Sequence, residues 1–475
     1  MSGWLLLAAE SGTTGHESVD AWITALFASL LVAMIAALAF EEKLHAKKSI
    51  IVGSFAGICL ILETVISAWT GERLVPFGEV VLPNGHAISL PVYIPAIDWG
   101  VITIILGASL FVEVTSRSGV FAWLAIKVTK ISGGDPWRLL IAYGLLTVIF
   151  SAVLNNVTAM IIIGSLTTVS LSKLKRNDLL LGFLVVEGLL TNVGGLLTLI
   201  SSVPNIIVGK TAGISFVKFF LVAAPYVVVA TAATLFLGKL RFKIRGLVSE
   251  QDREEAAELV AGFDESENIP SERFFWFSVG TLIAFIACLA AQQQLPWDLD
   301  KLGMGFVALF FAGVVLLAYR HEVDKFYAAM DWDLLAFFAG LFVVINVMEH
   351  AQVLAVIGRA IKGVLALPES SASSILLASS AVASSVTDNI PLAAMLAKIL
   401  AGMDLPADSP FWWCVIFGAN LGGNITPIGS ASTVVAMTII HRQKLPLSFP
   451  GFVMTAAPFA IAQIILAILY VLIAL

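Results

Sequence analysis

The chain has 475 residues, of which 59% are hydrophobic and only 13% charged, against roughly 25% charged in an ordinary soluble protein. That excludes a water-soluble globular fold and makes a lipid bilayer the first partner. The net charge of −6 says nothing about nucleic acid, because the acids gather in one loop, and no nucleic-acid partner is expected.

In chain order, no Lys or Arg precedes Lys43, so the positive n-region of a cleaved signal peptide is missing. The first apolar span is expected to be retained. Runs near 22–40, 49–68 and 97–114 are each long enough to cross a hydrocarbon core of roughly 30 Å as helix. A weakly amphipathic piece, 118–131, is expected along an interface. The stretch 138–171 is apolar but interrupted at its centre by Ser151, Asn155, Asn156 and Thr158, leaving arms of about 13 to 17 residues, short of the roughly 20 a spanning helix needs. It reads as a re-entrant hairpin. The run 179–209 is broken by glycines and a proline, and 215–238 crosses again. The loop 239–272 carries Glu250, Asp252, Glu254, Glu255, Glu258, Asp264, Glu265, Glu267 and Glu272 and reads as the linker between a first half, 1–238, and a second, 273–475. The second half supplies crossings near 274–292, 303–319, 333–349 and 449–474, an interfacial piece at 351–366, a hairpin at 370–402 and a broken helix at 411–440. The predicted fold is an all-α polytopic membrane protein with about 10 crossings, two hairpins and two broken helices.

Lys and Arg concentrate on the cytoplasmic side of short loops. With both termini outside, the cytoplasmic set gathers Lys43, Lys47, Lys48, Arg117, Arg138, Arg176, Arg320, Lys325 and Arg442 among others, and the linker is cytoplasmic. Only Arg73, Lys210, Lys218, Lys301, Arg359, Lys362 and Lys398 remain outside or in the membrane. The bias holds if each hairpin enters and leaves on one face, and it places the protein in the cell's inner or plasma membrane as a multi-pass protein.

The halves repeat. A shift of about 233 residues pairs Asp98 with Asp331, Gly107 with Gly340, Ser151 with Ser384 and Asn156 with Asn389; about 228 pairs Asn192, Gly194, Gly195 and Thr198 with Asn420, Gly422, Gly423 and Thr426. With five crossings per half, the repeat cores 97–238 and 331–475 are expected to be inverted relative to each other, an arrangement that places transporter sites at the repeat interface.

The chemistry is expected where polar residues interrupt apolar helix. Backbone that leaves helical geometry at membrane depth is tolerated where it lines a cavity. Freed carbonyls with Ser, Thr and Asn oxygens suit Na⁺, expected at Asn156 and Asn389, while half-helix amino termini suit an anion. The segments Asn192 to Thr198 and Asn420 to Thr426, each with a Gly-Gly pair, are expected to meet the hairpin tips. Asp388 is the one ionisable tip residue and is expected to be functional. Packing alone explains any single Gly or Asn here, but not equivalent interruptions in both halves. Glu63, Glu113 and Glu349 read as structural or interfacial, the six histidines as surface residues, and Cys59, Cys288 and Cys414 as packing.

The hairpins LNNVTAMIIIGSLT and TDNIPLAAMLAKIL, with NVGGLLTLISSVPN and NLGGNITPIGSAS, resemble the ion transporter superfamily. More narrowly the chain resembles the branch of NhaD-type sodium/proton antiporters and arsenite or pink-eyed-dilution-type permeases, with citrate and dicarboxylate carriers as more distant relatives. FEEKLHAKKSIIVG and AIDWGVI also carry this likeness. The resemblance implies inverted repeats, often a homodimer, and elevator-like movement of a transport domain against a scaffold. It also implies that Ser151, Asn155, Asn156 and Thr158 with Gly195 and Thr198 form one ion site, and Ser384, Thr387, Asp388 and Asn389 with Gly423 and Thr426 the other. Antiporter-type relatives often carry Asp-Asn in the first hairpin, where this chain has Asn155-Asn156.

An antiporter needs a group that binds either Na⁺ or H⁺, and Asp388, helped by Glu187, is the expected one. No resident cofactor is expected; Na⁺ and H⁺ are the coupling ions. A pump's phosphate loop is ruled out, since Pro204 stands where the first glycine before Gly209-Lys210-Thr211 belongs. No spacing suggests an enzyme's nucleophile or metal cluster. Alternating access is favoured over a pure channel. The reading is therefore a secondary transporter, Na⁺/H⁺ antiport first. The alternative is a Na⁺- or H⁺-coupled permease for a small anion such as arsenite, citrate or a dicarboxylate. The lack of Lys or Arg at the tips, with Lys398 nearest, speaks mildly against a multivalent anion.

Overall fold

The computed structural model describes residues 19–296 and 299–475; the amino terminus expected outside, and His16, lie beyond the described residues. Apart from one two-stranded hairpin the fold is helical. Among the described residues ten helices are long and apolar enough to cross a membrane. Eight match expected crossings within a few residues: Ala21–Ala39, Lys48–Thr70, Trp99–Ser116, Phe216–Arg241, Glu272–Ala290, Gly303–Ala318, Trp332–His350 and Phe449–Ala474. The other two are Pro136–Val153, an expected hairpin arm, and the stretch ending at Gly194. The region 411–440 does not qualify, because its helices Pro410–Gly422 and Ala431–Arg442 are too short singly.

Four expectations need correction. The helix pairs turn where expected, at Leu154-Asn155 and Thr387-Asp388, but the arms Pro136–Val153, Asn156–Lys173 and Glu369–Val386 have 18 residues each, and only Asn389–Ala401 has 13. Eighteen helical residues rise about 27 Å, so arm length does not by itself make a hairpin re-entrant. The first arm begins earlier than 138 because Asp135 caps it, its carboxylate accepting from the Arg138 amide at 2.9 Å, with Pro136 in the first turn. A β-hairpin, Gly78–Val81 paired with Ala87–Leu90, was not anticipated. The linker is not a bare loop. It holds the helix Glu250–Ala261, buries Val260 and Phe263, ties the Leu247 amide to Asp135 at 2.7 Å, and pairs Glu265 with Lys130. That Lys130 contact holds the Glu265 carboxyl below its ordinary range.

The repeat organises the packing. Helix Lys48–Thr70 of the first half lies along Trp332–His350 of the second, and Gly303–Ala318 of the second lies along Trp99–Ser116 of the first. Each crossing is close at a repeat-related glycine. A Cβ on Gly107 would stand 2.5 Å from the Ala308 carbonyl carbon, and one on Gly340 would stand 3.3 Å from the Gly53 amide. Small residues let helix backbones approach in a membrane. We expect Gly107→Ala to lower stability by about 1–3 kcal/mol, as overpacking does, and Gly340→Ala by less. Thermal melts in detergent check this, and a Gly107→Ala protein that melts with wild type would refute it. The helix starts repeat too: Asp98 and Asp331 each accept from an amide three residues on, at 3.1 and 3.0 Å, while the Trp99 and Trp332 indoles donate to the carbonyls of Ile94 and Tyr327.

A second group packs mainly within itself. The first hairpin's opening arm lies against Leu180–Gly194, and the second's against Pro410–Gly422. Both broken helices are real breaks, 195–202 between Leu180–Gly194 and Val203–Thr211, and 423–430 between Pro410–Gly422 and Ala431–Arg442.

Candidate functional site

At the first tip the chain is extended at Asn155, whose side-chain oxygen caps the following helix by accepting from the Thr158 amide at 2.8 Å. The Ser151 hydroxyl lies 2.7 Å from the Asn156 side-chain oxygen and 2.6 Å from the Thr191 carbonyl, its one proton serving either acceptor. Thr198 donates to the Ala152 carbonyl at 2.5 Å. The second tip repeats these contacts: Ser384 donates to the Ala419 carbonyl and Thr426 to the Ser385 carbonyl, both at 2.6 Å. Gly194 and Gly422 allow the approach, since a Cβ there would press on Ser151 and Ser384, and a Cβ on Gly195 would strike Asn156. Thr387 is the exception, its hydroxyl being bound to the Ala383 carbonyl of its own helix.

Across the repeats the bonds are reciprocal. Ser202 donates to the Asn420 oxygen at 2.7 Å and Ser430 to the Asn192 oxygen at 2.9 Å. Asn192 also accepts from Asn156 and Ser432, at 3.2 and 3.0 Å, and donates to Asn424 at 2.8 Å. Asn420 donates to Asn205 at 2.9 Å, and Asn205 donates to the Gly195 and Thr198 carbonyls. Asn424 continues to Gln463 and Gln463 to Thr234, each at 2.8 Å. These amides are buried, and hydrogen bonds are what makes a buried polar side chain tolerable there.

A cavity of about 910 Å³ opens beside this network. Of the residues expected at the site, Asn155, Asn156, Thr158 and Asn389 line it. Ser201, Ser202, Ser430 and Ser432 of the broken helices line it as well, together with His45, Lys47, Lys48, Glu41, Glu113 and Asp333. The remaining expected residues, Ser151, Asn192, Gly194, Gly195, Thr198, Ser384, Thr387, Asp388, Asn420, Gly422, Gly423 and Thr426, do not line it.

Asp388, the ionisable tip residue, has two partners. One oxygen caps the second arm, accepting from the Ile390 amide at 3.0 Å, and the other lies 2.5 Å from the Lys48 ammonium. Lys398, the nearest cation in sequence, instead pairs with Glu349 at 3.1 Å. Glu187 is fully buried; Thr167 donates to one of its oxygens at 2.6 Å and the other has no partner among the described residues.

A family model described as the citrate transporter, CitMHS, matches residues 4–416. The chain belongs to the citrate transporter family. Among its relatives, an uncharacterized transporter of Mycobacterium tuberculosis is 31% identical over 385 residues, covering 79% of this chain and 87% of its own length. The 46 kDa membrane protein of Mycobacterium leprae is 30% identical over 383 residues, covering 79% and 86%. The human P protein is 24% identical over 509 residues, 91% of this chain but 60% of that longer protein. Of solved structures, the YdaH transporter of Alcanivorax borkumensis superposes with a TM-score of 0.59 at 15% identity, covering 90% of this chain and 98% of that one, a likeness of fold alone.

Membership of the citrate transporter family makes this chain a membrane transporter and not an enzyme. The superfamily expectation holds, and the matching family is the one read above as a more distant relative. Lys48 was missed because 340 residues separate it from Asp388 and because a lysine beside Lys43 and Lys47 reads as a cytoplasmic loop charge. Asn205, Asn424 and Ser430 had a signal, since they lie in the repeated Gly-Gly segments. Gln463, well inside an apolar crossing, had a weaker one.

Proposed function

We propose that the protein carries a small carboxylate-bearing anion, citrate or a dicarboxylate, across the membrane by alternating access coupled to Na⁺ or H⁺. The observation that carries this reading is the cavity itself, which both repeat-related tips line and which holds Lys48, Lys47 and His45 beside Asn156 and Asn389. Membrane anion sites often recruit basic side chains, and Lys48 fills a place that the tip sequences alone leave empty. The family's name points the same way. In the orientation set by the Lys and Arg bias, the cavity faces the cytoplasm, the hairpins are re-entrant from opposite faces, and the two hairpin-and-broken-helix units move against the 48–70/332–350 and 99–116/303–318 pairs. Na⁺/H⁺ antiport is the second reading, favoured by the unpartnered oxygen of Glu187.

Radiolabelled citrate and succinate uptake into proteoliposomes under imposed Na⁺ or pH gradients tests the choice. Gradient-driven accumulation that Asn156→Ala and Asn389→Ala abolish supports the anion reading. No uptake of either acid, with Na⁺ collapsing an imposed pH gradient, replaces it with antiport.

A further inference from the structure

The Lys48–Asp388 pair is one of the contacts between two groups of helices that pack mainly within themselves, alongside the Lys398–Glu349 pair. Lys48 begins the helix that lies along 332–350, whereas Asp388 sits at the turn of a hairpin packed on 410–422. Three observations set it apart from a pair that only neutralises charge. The cap that Asp388 provides needs no charge, because the repeat-related Asn155 does the same work for Thr158 as a neutral amide. Lys48 lines the cavity next to Asn389, its side chain 29% exposed while that of Asp388 is 13% exposed. Beside the basic Lys47 and His45 of the same cavity, the charges acting on Lys48 besides Asp388 are acidic: Glu41 lies 3.9 Å from its ammonium, and Asp333 accepts from the neighbouring Ser49. A cation so placed, with its tightest partner drawn from the opposite group of helices, is positioned to change partners when those groups move.

We propose that Lys48 and Asp388 are exchange partners in transport: a substrate carboxylate replaces Asp388 on Lys48, and the freed Asp388 takes the coupling Na⁺ or H⁺. The proposal rests on the anion reading above and adds its coupling rule. In the empty carrier Lys48 and Asp388 neutralise each other as an internal ion pair. The site holding both one carboxylate and one cation is neutral as two new pairs. With only one of them bound, either Lys48 or Asp388 loses its tightest counter-charge in a partly buried place, which is unfavourable; for Lys48, Glu41 at 3.9 Å offsets this only in part. Empty and fully loaded carriers can therefore cross, and half-loaded ones cannot.

The test is citrate binding to the purified full-length protein by calorimetry across Na⁺ concentration and pH, with exchange and accumulation measured in proteoliposomes. For wild type, added Na⁺ or H⁺ is expected to tighten citrate binding. Lys48→Gln is expected to weaken it about 10- to 100-fold, the range for losing a hydrogen bond to a charged group, and Lys48→Arg to restore most of it. Asp388→Asn keeps the cap, so it should fold; it is expected to bind citrate at least as tightly as wild type, with no dependence on Na⁺ or pH. It should also retain citrate/citrate exchange while losing accumulation. If Asp388→Asn weakens citrate binding as Lys48→Gln does, although both melt with wild type, the pair is structural and the exchange is overturned. Wild-type binding that Lys48→Gln leaves untouched also overturns the exchange but spares the anion reading. Wild type that binds neither citrate nor succinate overturns both.

Discussion

Asn192→Leu is expected to abolish transport and to destabilise the protein more than any other single change in the broken helices. The leucine is close in volume, so no large cavity opens; what is lost is the meeting point of the two repeats. Asn156, Ser430 and Ser432 each lose their acceptor and Asn424 loses a donor, all in or beside the buried core of the site. A buried polar group left unsatisfied costs about 1–3 kcal/mol. The hydroxyls of Ser430 and Ser432 can turn toward each other, since their oxygens lie 2.9 Å apart. The expected loss is then roughly 3–6 kcal/mol instead of the full sum. Asn420→Leu removes contacts only to Ser202, Asn205 and the Ile416 carbonyl and is expected to cost about half as much. Thermal unfolding in detergent together with gradient-driven uptake measures both variants. Equal losses for the two asparagines, or an Asn192→Leu protein that still transports, would show that the network is not centred on Asn192.

That asymmetry within a repeated site explains what the sequence showed and what it hid. Positions that the repeat matches, such as Gly107 with Gly340, Ser151 with Ser384 and Asn192 with Asn420, were legible because each half reports on the other, and the structure puts each pair at equivalent points of the fold, though with unequal numbers of contacts. Positions where the halves differ had no such check. Asp388 differs from Asn155 by one charge, and the partner of that charge, Lys48, lies outside the repeat core and far away in sequence. Local signals were present for two further features and were outweighed by composition. Asp135-Pro136 is a helix start, and Asn84-Gly85, with a positive φ of 80° at the glycine, marks the turn of the β-hairpin. The helix Glu250–Ala261 was hidden by its acids, which read as a loop although Glu is a good helix former.

Glu187→Gln separates proton coupling from packing at a fully buried carboxyl beside the site, one oxygen of which has no partner among the described residues. Glu187 lies in the first half of a broken helix, between hairpin arm 156–173, which supplies Thr167, and arm 136–153, which supplies Tyr143 nearby. The Tyr143 hydroxyl is engaged with Thr129 and Ser170, at 2.8 and 2.7 Å, so it leaves the second Glu187 oxygen without a partner. An ionisable residue within the membrane is costly and is a functional-site candidate by default. A substrate with two or three carboxylates brings more negative charge than Lys48 can balance, and a proton on Glu187 supplies compensation that Asp388 alone does not. The glutamine keeps the size and the Thr167 contact, so the variant is expected to melt at or above the wild-type temperature and to bind citrate normally. Its accumulation driven by a pH gradient is expected to fall by roughly tenfold or more, read as initial uptake rates at fixed citrate over a series of external pH values. A Gln variant with the wild-type pH profile would reduce Glu187 to a packing contact of Thr167. A variant that melts lower and also loses citrate binding would make it a structural anchor of the first hairpin instead.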